Sequence, residues 1–261
     1  MKLPKKEELN SEDEHYLFEK DTDPYENFVD SNRIDEIIKL VKKYSKGKKV
    51  LDIGCAQGNI ATLLAEEGFC TIAFDLSQNF LEYARKKREF GEISYVCGNA
   101  LCLPFRKETF DAIILGELIE HIAYPEMLIK EAKRCLKNGG IILITTPNNH
   151  FFLGMDSGNK PPLFHELAYQ QRVKLLKKQF GPSGADHLFV FNAENLTKLL
   201  KNQSLKVFEL KWINSCFINN HTYNILKIFP DYLLHLFDNL ITKIPFLNEK
   251  LSMSLCISAR K

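Results

Sequence analysis

The chain of 261 residues is 45% apolar and 26% charged, a balance typical of one soluble globular domain with embellishments. Its net charge of +2 gives no electrostatic reason to expect a nucleic-acid partner, and the charged N-terminal residues contain no apolar signal-peptide core. No apolar run approaches the length of a membrane-spanning helix, so no transmembrane segment is expected. Seven scattered cysteines, none in a C-x-x-C pair, indicate reduced thiols and a cytoplasmic location.

The sequence divides into an N-terminal extension and one large domain. Residues 1–30 are rich in charge and are expected to precede the domain, which occupies residues 31–261. The first helix of the domain is predicted where apolar residues recur at helical spacing over 34–41. Two stretches, at about 149–190 and 217–247, depart from the strand–helix alternation and are expected to be insertions.

Short apolar strands alternate with amphipathic helices along the domain. Strands are predicted at 48–53, 70–75, 93–98, 110–116, 141–146, 205–212 and 251–261. A helix over 125–140 is expected to end at Gly139 as its C-cap, and another is expected at 193–202. Continuous apolar strands that alternate with helices indicate an α/β fold whose parallel sheet is covered on both faces.

The turn after the first strand, in VLDIGCAQGN (50–59), has the features of a ligand site. Ligands of open α/β sheets bind beyond the carboxyl ends of the strands, and Gly54 and Gly58 let the backbone approach one closely. Asp52 disfavours a diphosphate but suits an ammonium group, and Asp75 after the second strand can accept both hydroxyls of a ribose. A ligand made of an amino acid joined to a nucleoside would suit both Asp52 and Asp75. A Rossmann-type protein that binds NAD remains an alternative.

Five segments together resemble the motifs of the class I S-adenosylmethionine (SAM)-dependent methyltransferases, in the group of the ubiquinone-type O-methyltransferases and methyltransferases type 11 and 12. They are VLDIGCAQGN, FDLS (74–77), GNALCLPF (98–105), FDAIILGELIEHI (110–122) and LKNGGIILITTPN (136–148). The resemblance implies a Rossmann-like fold with a seven-stranded, mostly parallel sheet, an antiparallel last strand, helices on both faces and helical insertions. It also implies SAM as the cofactor and S-adenosylhomocysteine (SAH) as the product.

The resemblance further implies a cofactor site in which each residue has a role. Its residues are Arg33, Asp52, Gly54, Cys55, Gly58, Asp75, Leu76, Asn99, Ala100, Leu115 and Gly116. The first turn would line the methionine end, with Arg33 on the carboxylate and Cys55 as a small packing residue. Asp75 would hold the ribose and Leu76 would pack on the adenine. Asn99 stands where the family usually has Asp at the adenine amino group, and the end of the fourth strand would close the pocket.

Candidate catalytic residues follow the fourth strand and the long insertion. For an oxygen acceptor the protein must supply alignment and a base, and His121 and His187 are the predicted catalytic residues. If residues 117–121 are helical, Glu117, Glu120 and His121 share one face. With His187 they resemble the E-x-x-E-H metal site of the small-RNA 3′-terminal 2′-O-methyltransferases. A divalent metal is therefore an open alternative, and no metal is assigned.

The acceptor is expected to be a small molecule, or a lipid- or sugar-linked one, methylated on oxygen. No N-P-P-[YF] motif for nitrogen follows the fourth strand, and no aromatic–basic interleaving suggests an RNA path. The alternatives are a metal-assisted RNA 2′-O-methyltransferase and a catalytically inactive SAM-binding partner subunit. The apolar stripe over 233–244 could cap the core, form a wall of the acceptor site, pack against a second subunit or rest on a membrane surface. Monomer and homodimer therefore both remain open.

Overall fold

The computed structural model describes residues 24–87, 91–149, 163–164, 187–244 and 248–261. The strands are β1 (Lys49–Ile53), β2 (Cys70–Asp75), β3 (Glu92–Cys97), β4 (Phe110–Gly116), β5 (Leu136–Pro147), β6 (Lys206–Ser215) and β7 (Ser252–Arg260). The helices are α1 (Pro24–Tyr44), α2 (Asn59–Glu66), α3 (Gln78–Lys87), α4 (Pro125–Cys135), α5 (Ala193–Asn202), α6 (Asn220–Leu226), α7 (Asp231–Ile241) and α8 (Asn248–Leu251). A 3-10 turn spans Ile119–His121.

One sheet of seven strands forms the centre of the fold, in the order β3-β2-β1-β4-β5-β7-β6. The pairs from β3 to β5 are parallel, whereas β7 runs antiparallel to both β5 and β6. The α/β fold with an antiparallel last strand is therefore confirmed. The order reverses between β1 and β4, so their carboxyl ends frame the crevice in which ligands of such sheets bind.

Alternation along the central strands explains why both faces of the sheet are covered. Successive side chains of a strand point to opposite faces, so Leu51 and Ile53 enter one core while Val50 enters the other. Helix α4 and helix α5 cover the first face through Leu128, Ala132, Leu196 and Leu200. Helix α1 and helix α2 cover the second face through Ile37, Leu40, Val41 and Leu64.

Two boundaries differ from the sequence prediction. Helix α1 begins at Pro24, upstream of residue 31, because Phe28 in its first turns is buried against residues of α6 and α7. The predicted helix over 125–140 is wrong in its last turn, since α4 ends at Cys135 and Gly139 lies within β5. The Gly139 amide donates to the Lys261 carbonyl, so long-range pairing with the C-terminus replaces the expected helix cap.

The insertion between β6 and β7 contains the helices α6, α7 and α8. Ile218, Tyr223 and Leu234 pack with Phe28 of α1 in a small separate core. The apolar stripe predicted over 233–244 does not cap the core on either face of the sheet, because most of its members are exposed to solvent. Ile241 is its only buried member. The exposed members are Leu233, Leu236, Phe237, Leu240 and Ile244.

Other expectations from the sequence are tested only in the described ranges. No helix in those ranges is both long and apolar enough to cross a bilayer. All seven cysteines lie in the described ranges and are free. Most of the insertion predicted at 149–190 lies outside the described residues.

Candidate functional site

The turn between β1 and α2 is shaped by two glycines with positive φ. Gly54 has φ +72°, and a Cβ there would lie 2.8 Å from Leu118 Cδ1. Gly58 has φ +73°, and its Cβ would lie 2.9 Å from the Cβ of Ala84. The Gly54 amide donates to the Phe74 carbonyl at 2.8 Å, which ties the turn to the end of β2. Both glycines are therefore required by backbone conformation and by close packing.

Asp52 lies beneath this turn and is almost fully buried, at 1% exposure. Burial, together with the nearby Asp75 carboxylate, raises the pKa of Asp52 from 3.8 to about 7, although Arg33 opposes part of the rise. Its Oδ2 atom has no hydrogen-bond partner among the described residues. A buried acceptor of this kind favours a cationic group, because a neighbouring positive charge stabilises the ionised carboxylate.

Asp75 connects the turn to the end of β2. Its Oδ2 accepts a hydrogen bond from the Ala56 amide at 2.9 Å, and its Oδ1 accepts one from the Ser77 amide at 2.8 Å. A carboxylate offers about four lone-pair positions, so Asp75 can hold the turn and still accept the hydroxyls of a ribose. The structure thus gives Asp75 a positioning contact that the sequence did not predict.

The residues predicted for the adenine side come just after β2 and β3. Leu76 is 42% exposed, which leaves its side chain accessible to a flat ring. The Asn99 Oδ1 atom already accepts from the Leu101 amide at 2.9 Å, and Ala100 packs partly against the main core. Leu115 is fully buried in that core, so only its backbone can face a ligand.

A cavity of about 490 Å³ extends from the glycine turn along the ends of β4 and β5. Six of the residues predicted for the site line it: Arg33, Gly54, Cys55, Gly116, His121 and His187. The other predicted residues lie outside its lining: Asp52, Gly58, Asp75, Leu76, Asn99, Ala100 and Leu115. The cavity therefore joins the predicted methionine end to the predicted catalytic histidines, and the residues predicted for the nucleoside lie outside its lining.

Arg33 extends from α1 across this cavity towards Gly116. Its Nη1 atom would lie 3.3 Å from a Cβ placed on Gly116, and its Nη2 donates to Asp30 Oδ1 at 3.0 Å. Burial opposes the charged guanidinium, but the carboxylates of Glu117 and Asp30 outweigh it and raise the pKa of Arg33. A charged arginine at this place can pair with the carboxylate of an amino acid ligand.

His121 and His187 meet at the far end of the cavity. Their ring centroids are 4.8 Å apart, with the planes inclined at 64°. The backbone explains the pairing, because the Leu188 and Phe189 amides both donate to the Glu120 carbonyl, at 2.8 and 3.2 Å. The segment that carries His187 is thereby fastened to the 3-10 turn that carries His121.

Glu120 completes a cluster with the two histidines. One ligand atom from each of Glu120, His121 and His187 lies within 4.8 Å of the others. Burial raises the pKa of Glu120 well above its usual range, and Glu117 adds to the rise. Glu120 Oε2 accepts from the Thr146 hydroxyl at 2.9 Å, which fixes the carboxylate against β5.

The condition under which Glu117, Glu120 and His121 would share one helical face is not met. Glu117 has φ +49°, which is a left-handed backbone conformation and not a helical one. Its amide donates to the Thr145 carbonyl of β5, so the residue extends the pairing of β4 with β5. Only Ile119–His121 form a 3-10 turn, and Glu117 is outside the three-residue cluster. A divalent ion would therefore draw its protein ligands from Glu120 and the two histidines.

Sequence reasoning missed several residues that line the cavity. Val29, Asp30 and Ile34 come from α1, Gln57 and Asn59 from the turn and the start of α2, and Pro147 and Ser254 from β5 and β7. The sequence signal that α1 begins early enough to include residues 29 and 30 is Pro24, because proline is favoured in the first turn of a helix. Nothing local in the sequence places Ser254 beside the first turn.

Comparison with known proteins gives a family match over most of this architecture. A family model described as "Methyltransferase domain" matches residues 25–210. A ubiquinone biosynthesis O-methyltransferase of Dinoroseobacter shibae is 36% identical over 169 residues, which cover 64% of this chain and 63% of that protein. A protein of the same name from Coxiella burnetii is 33% identical over 108 residues, covering 41% and 46% of the two chains.

These matches cover part of the relatives only. The chain spans about half to three fifths of the length of the first curated relatives that it matches. Among solved structures, a SAM-dependent methyltransferase of Mesorhizobium loti superposes with a TM-score of 0.58 at 16% identity, covering 87% of this chain and 96% of that one. At that identity the likeness concerns the fold.

Proposed function

The chain belongs to the class I SAM-dependent methyltransferase superfamily, and from that premise we propose that it transfers a methyl group from SAM to a hydroxyl oxygen. The acceptor is a small molecule or a lipid- or sugar-linked compound. One observation carries the proposal: His121 and His187 line the same cavity as the glycine turn and Arg33. A base is thereby available beside the predicted methionine end, as oxygen methylation requires. Relatives named as O-methyltransferases support the choice of oxygen.

The residues present fit the cofactor. Asp52 Oδ2, a buried acceptor without a partner in the described chain, suits the ammonium group, and Arg33 suits the carboxylate. Asp75 would hold the ribose and exposed Leu76 the adenine. When bound, SAM supplies an electrophilic methyl carbon on a sulfonium. The protein then has to align the acceptor with that carbon and exclude water, because the displacement is in line.

The two histidines provide the proton transfer. An imidazole nitrogen of His121 or His187 would accept the proton of the acceptor hydroxyl as the oxygen attacks. Imidazole suits this role because its ordinary pKa lies near 6.5. The Glu120 carboxyl group is buried and bonded to Thr146, and from this fixed place beside the two rings it would help to orient them.

A metal-assisted version of the same reaction is the second candidate, since the Glu120–His121–His187 cluster offers three ligand atoms within 4.8 Å. Donors on one divalent ion lie roughly 3 Å apart, so these side chains would close inward around it. The ion would lower the pKa of the acceptor hydroxyl, so that its proton could pass to solvent water and no strong protein base would be needed. This version extends to the 2′-hydroxyl of an RNA end.

The test is transfer of labelled methyl from SAM to a panel of acceptors: phenols, catechols, sugar-linked and lipid-linked hydroxyls, and short RNA. His121→Asn and His187→Asn are expected to lower kcat by roughly 10²- to 10⁴-fold while SAH affinity stays unchanged. His221→Asn, on exposed α6, is the matched control and should keep full activity. Full kcat in both active-site variants would refute the assignment of the base.

A second arm separates the two candidates. Activity that survives EDTA supports proton transfer to a histidine. Activity that EDTA abolishes and Mg²⁺ or Mn²⁺ restores supports the metal-assisted version. Methylation of nitrogen in the product, detected by fragmentation, would contradict both.

A further inference from the structure

Helix α7 and the residues on either side of it carry a set of large exposed apolar side chains, which we call the outer apolar face. Its members are Ile228, Phe229, Tyr232, Leu233, Leu236, Phe237, Leu240 and Ile244. Their exposed fractions run from 38% for Leu233 to 81% for Ile228. Large apolar residues at such exposure indicate an interaction surface when they lie together.

Helix geometry shows that they do lie together. At about 100° per residue, the five members inside α7 fall within an arc of roughly 140°. Leu234 and Asp238 lie on the opposite side of the same helix and are buried. The outer apolar face is therefore one side of α7, extended by the turn before it and the residues after it.

The area of this face is larger than a monomer usually exposes. With roughly 200 Å² for a fully exposed large apolar residue, the eight members present about 900 Å² of surface. The largest apolar patch on a typical monomer is about 300–600 Å². A standard interface buries about 800 Å² on each partner, so the area of this face matches what a stable dimer needs.

Hydrogen bonds and a ring contact hold α7 in place, which favours association because little order has to be gained. Asp238 accepts a hydrogen bond from the Ser215 amide at 2.6 Å and another from the Asn32 side chain at 3.3 Å. The His235 ring stacks on Phe28 with centroids 4.4 Å apart and bonds to Asn32 through Nδ1. The buried side of α7 is thus fixed to α1 and β6 while its outer side is uncovered in the described chain.

Charge distinguishes between the possible occupants. The face itself has no charged member, and the exposed charged residues in the described run 227–244 are Lys227, Asp231 and Lys243. A lipid surface is held by clusters of lysine and arginine around an apolar face, which this run does not supply. A second copy of the chain suits a neutral face, because a two-fold axis brings the same surface against itself.

We propose that two copies of this chain associate through the outer apolar face, with α7 packed antiparallel against its counterpart. Leu233, Leu236 and Leu240 follow the three- and four-residue spacing of a helix-packing seam. Antiparallel packing sets the end of α7 that carries Asp231 alongside the partner end that carries Lys243. It also opposes the helix dipoles, which favours the pair.

The test is sedimentation equilibrium of the full chain over a range of concentrations. The wild type is expected to sediment as a species of twice 30.1 kDa. The double variant Leu236→Glu/Leu240→Glu brings four carboxylates together across the two-fold axis and should sediment as single chains. Far-UV circular dichroism and SAH binding should stay unchanged, and Leu236→Lys alone replaces the double variant if it does not fold. Met127→Glu, at an apolar residue on α4 that is also about half exposed, is the matched control and should remain a dimer.

Three results would overturn the proposal: a wild type of single-chain mass at every concentration, a folded double variant that still dimerises, or loss of the dimer in Met127→Glu. Flotation with vesicles of phosphatidylcholine and phosphatidylglycerol provides the second arm. Wild-type chains that are single in solution, and float only when the face is intact, would assign the face to lipid and also overturn the proposal.

Discussion

Replacing Asp75 by alanine is the sharpest single perturbation of the donor site. The carboxylate is placed to accept both ribose hydroxyls, and two hydrogen bonds to a charged group contribute about 3 kcal/mol together. That loss corresponds to roughly a 150-fold rise in the Kd for SAH. Asp75 also holds the Ala56 and Ser77 amides, so the ligand-free variant should melt at a lower temperature than the wild type.

Thermal shift measures the change directly. At a SAH concentration 100-fold above the wild-type Kd, binding adds about 2.7 kcal/mol of stability. For a domain of this size that is a rise in Tm of roughly 5–10 °C. With a 150-fold weaker Kd the same concentration adds only about 0.3 kcal/mol, a rise of roughly 1 °C.

Asp111→Ala is the matched control for this prediction. Asp111 also accepts a backbone amide, that of Lys49 at 3.1 Å, and pairs with Lys137 at 2.8 Å, but it lies at the amino end of β4, away from the turn. Its removal should lower Tm without reducing the shift that SAH causes. If titration calorimetry gives Asp75→Ala a Kd within about threefold of wild type, the ribose assignment is refuted.

Three further predictions concern the same site. Because burial raises the pKa of Asp52 to about 7, its carboxylate gains a proton below that pH and attracts an ammonium group less. Calorimetry should therefore show that the affinity for SAH falls between pH 8 and pH 6 in the wild type. In Asp52→Asn the affinity should stay level over the same range. Arg33→Gln should raise the Kd for SAH by roughly 10- to 100-fold, whereas Arg106→Gln, on the exposed surface, should leave it unchanged. Thr146→Val keeps the side-chain shape but removes the hydrogen bond to Glu120, so urea titration should show that the free energy of unfolding falls by about 1 kcal/mol. An unchanged urea midpoint would mean that this hydrogen bond does not contribute to stability.

The sequence predicted the sheet well because its strands are local, continuous apolar runs. Val50, Leu51 and Ile53 are buried on both faces, and such strands are recognisable without knowledge of their neighbours. The boundary between α4 and β5 was missed because Gly139 is fixed by the C-terminal Lys261, far away in sequence. Local pattern cannot register a partner more than a hundred residues distant.

The candidate site divides in the same way. Gly54 and Gly58 belong to one contiguous motif, so their place in the turn followed from the sequence. The pairing of His121 with His187 depends on two amides that bond to the Glu120 carbonyl, and Asp30 reaches the cavity only because α1 folds across it. Glu117 does not share a helical face with Glu120 and His121, because its positive φ is incompatible with a right-handed helix over residues 117–121.

Calorimetric titration of the wild-type protein with SAH and, separately, with NAD tests the central claim most directly. The glycine turn, Asp52 and Asp75 should bind one molecule of SAH per chain, with no measurable heat from NAD. Saturable binding of NAD together with no binding of SAH would contradict the account.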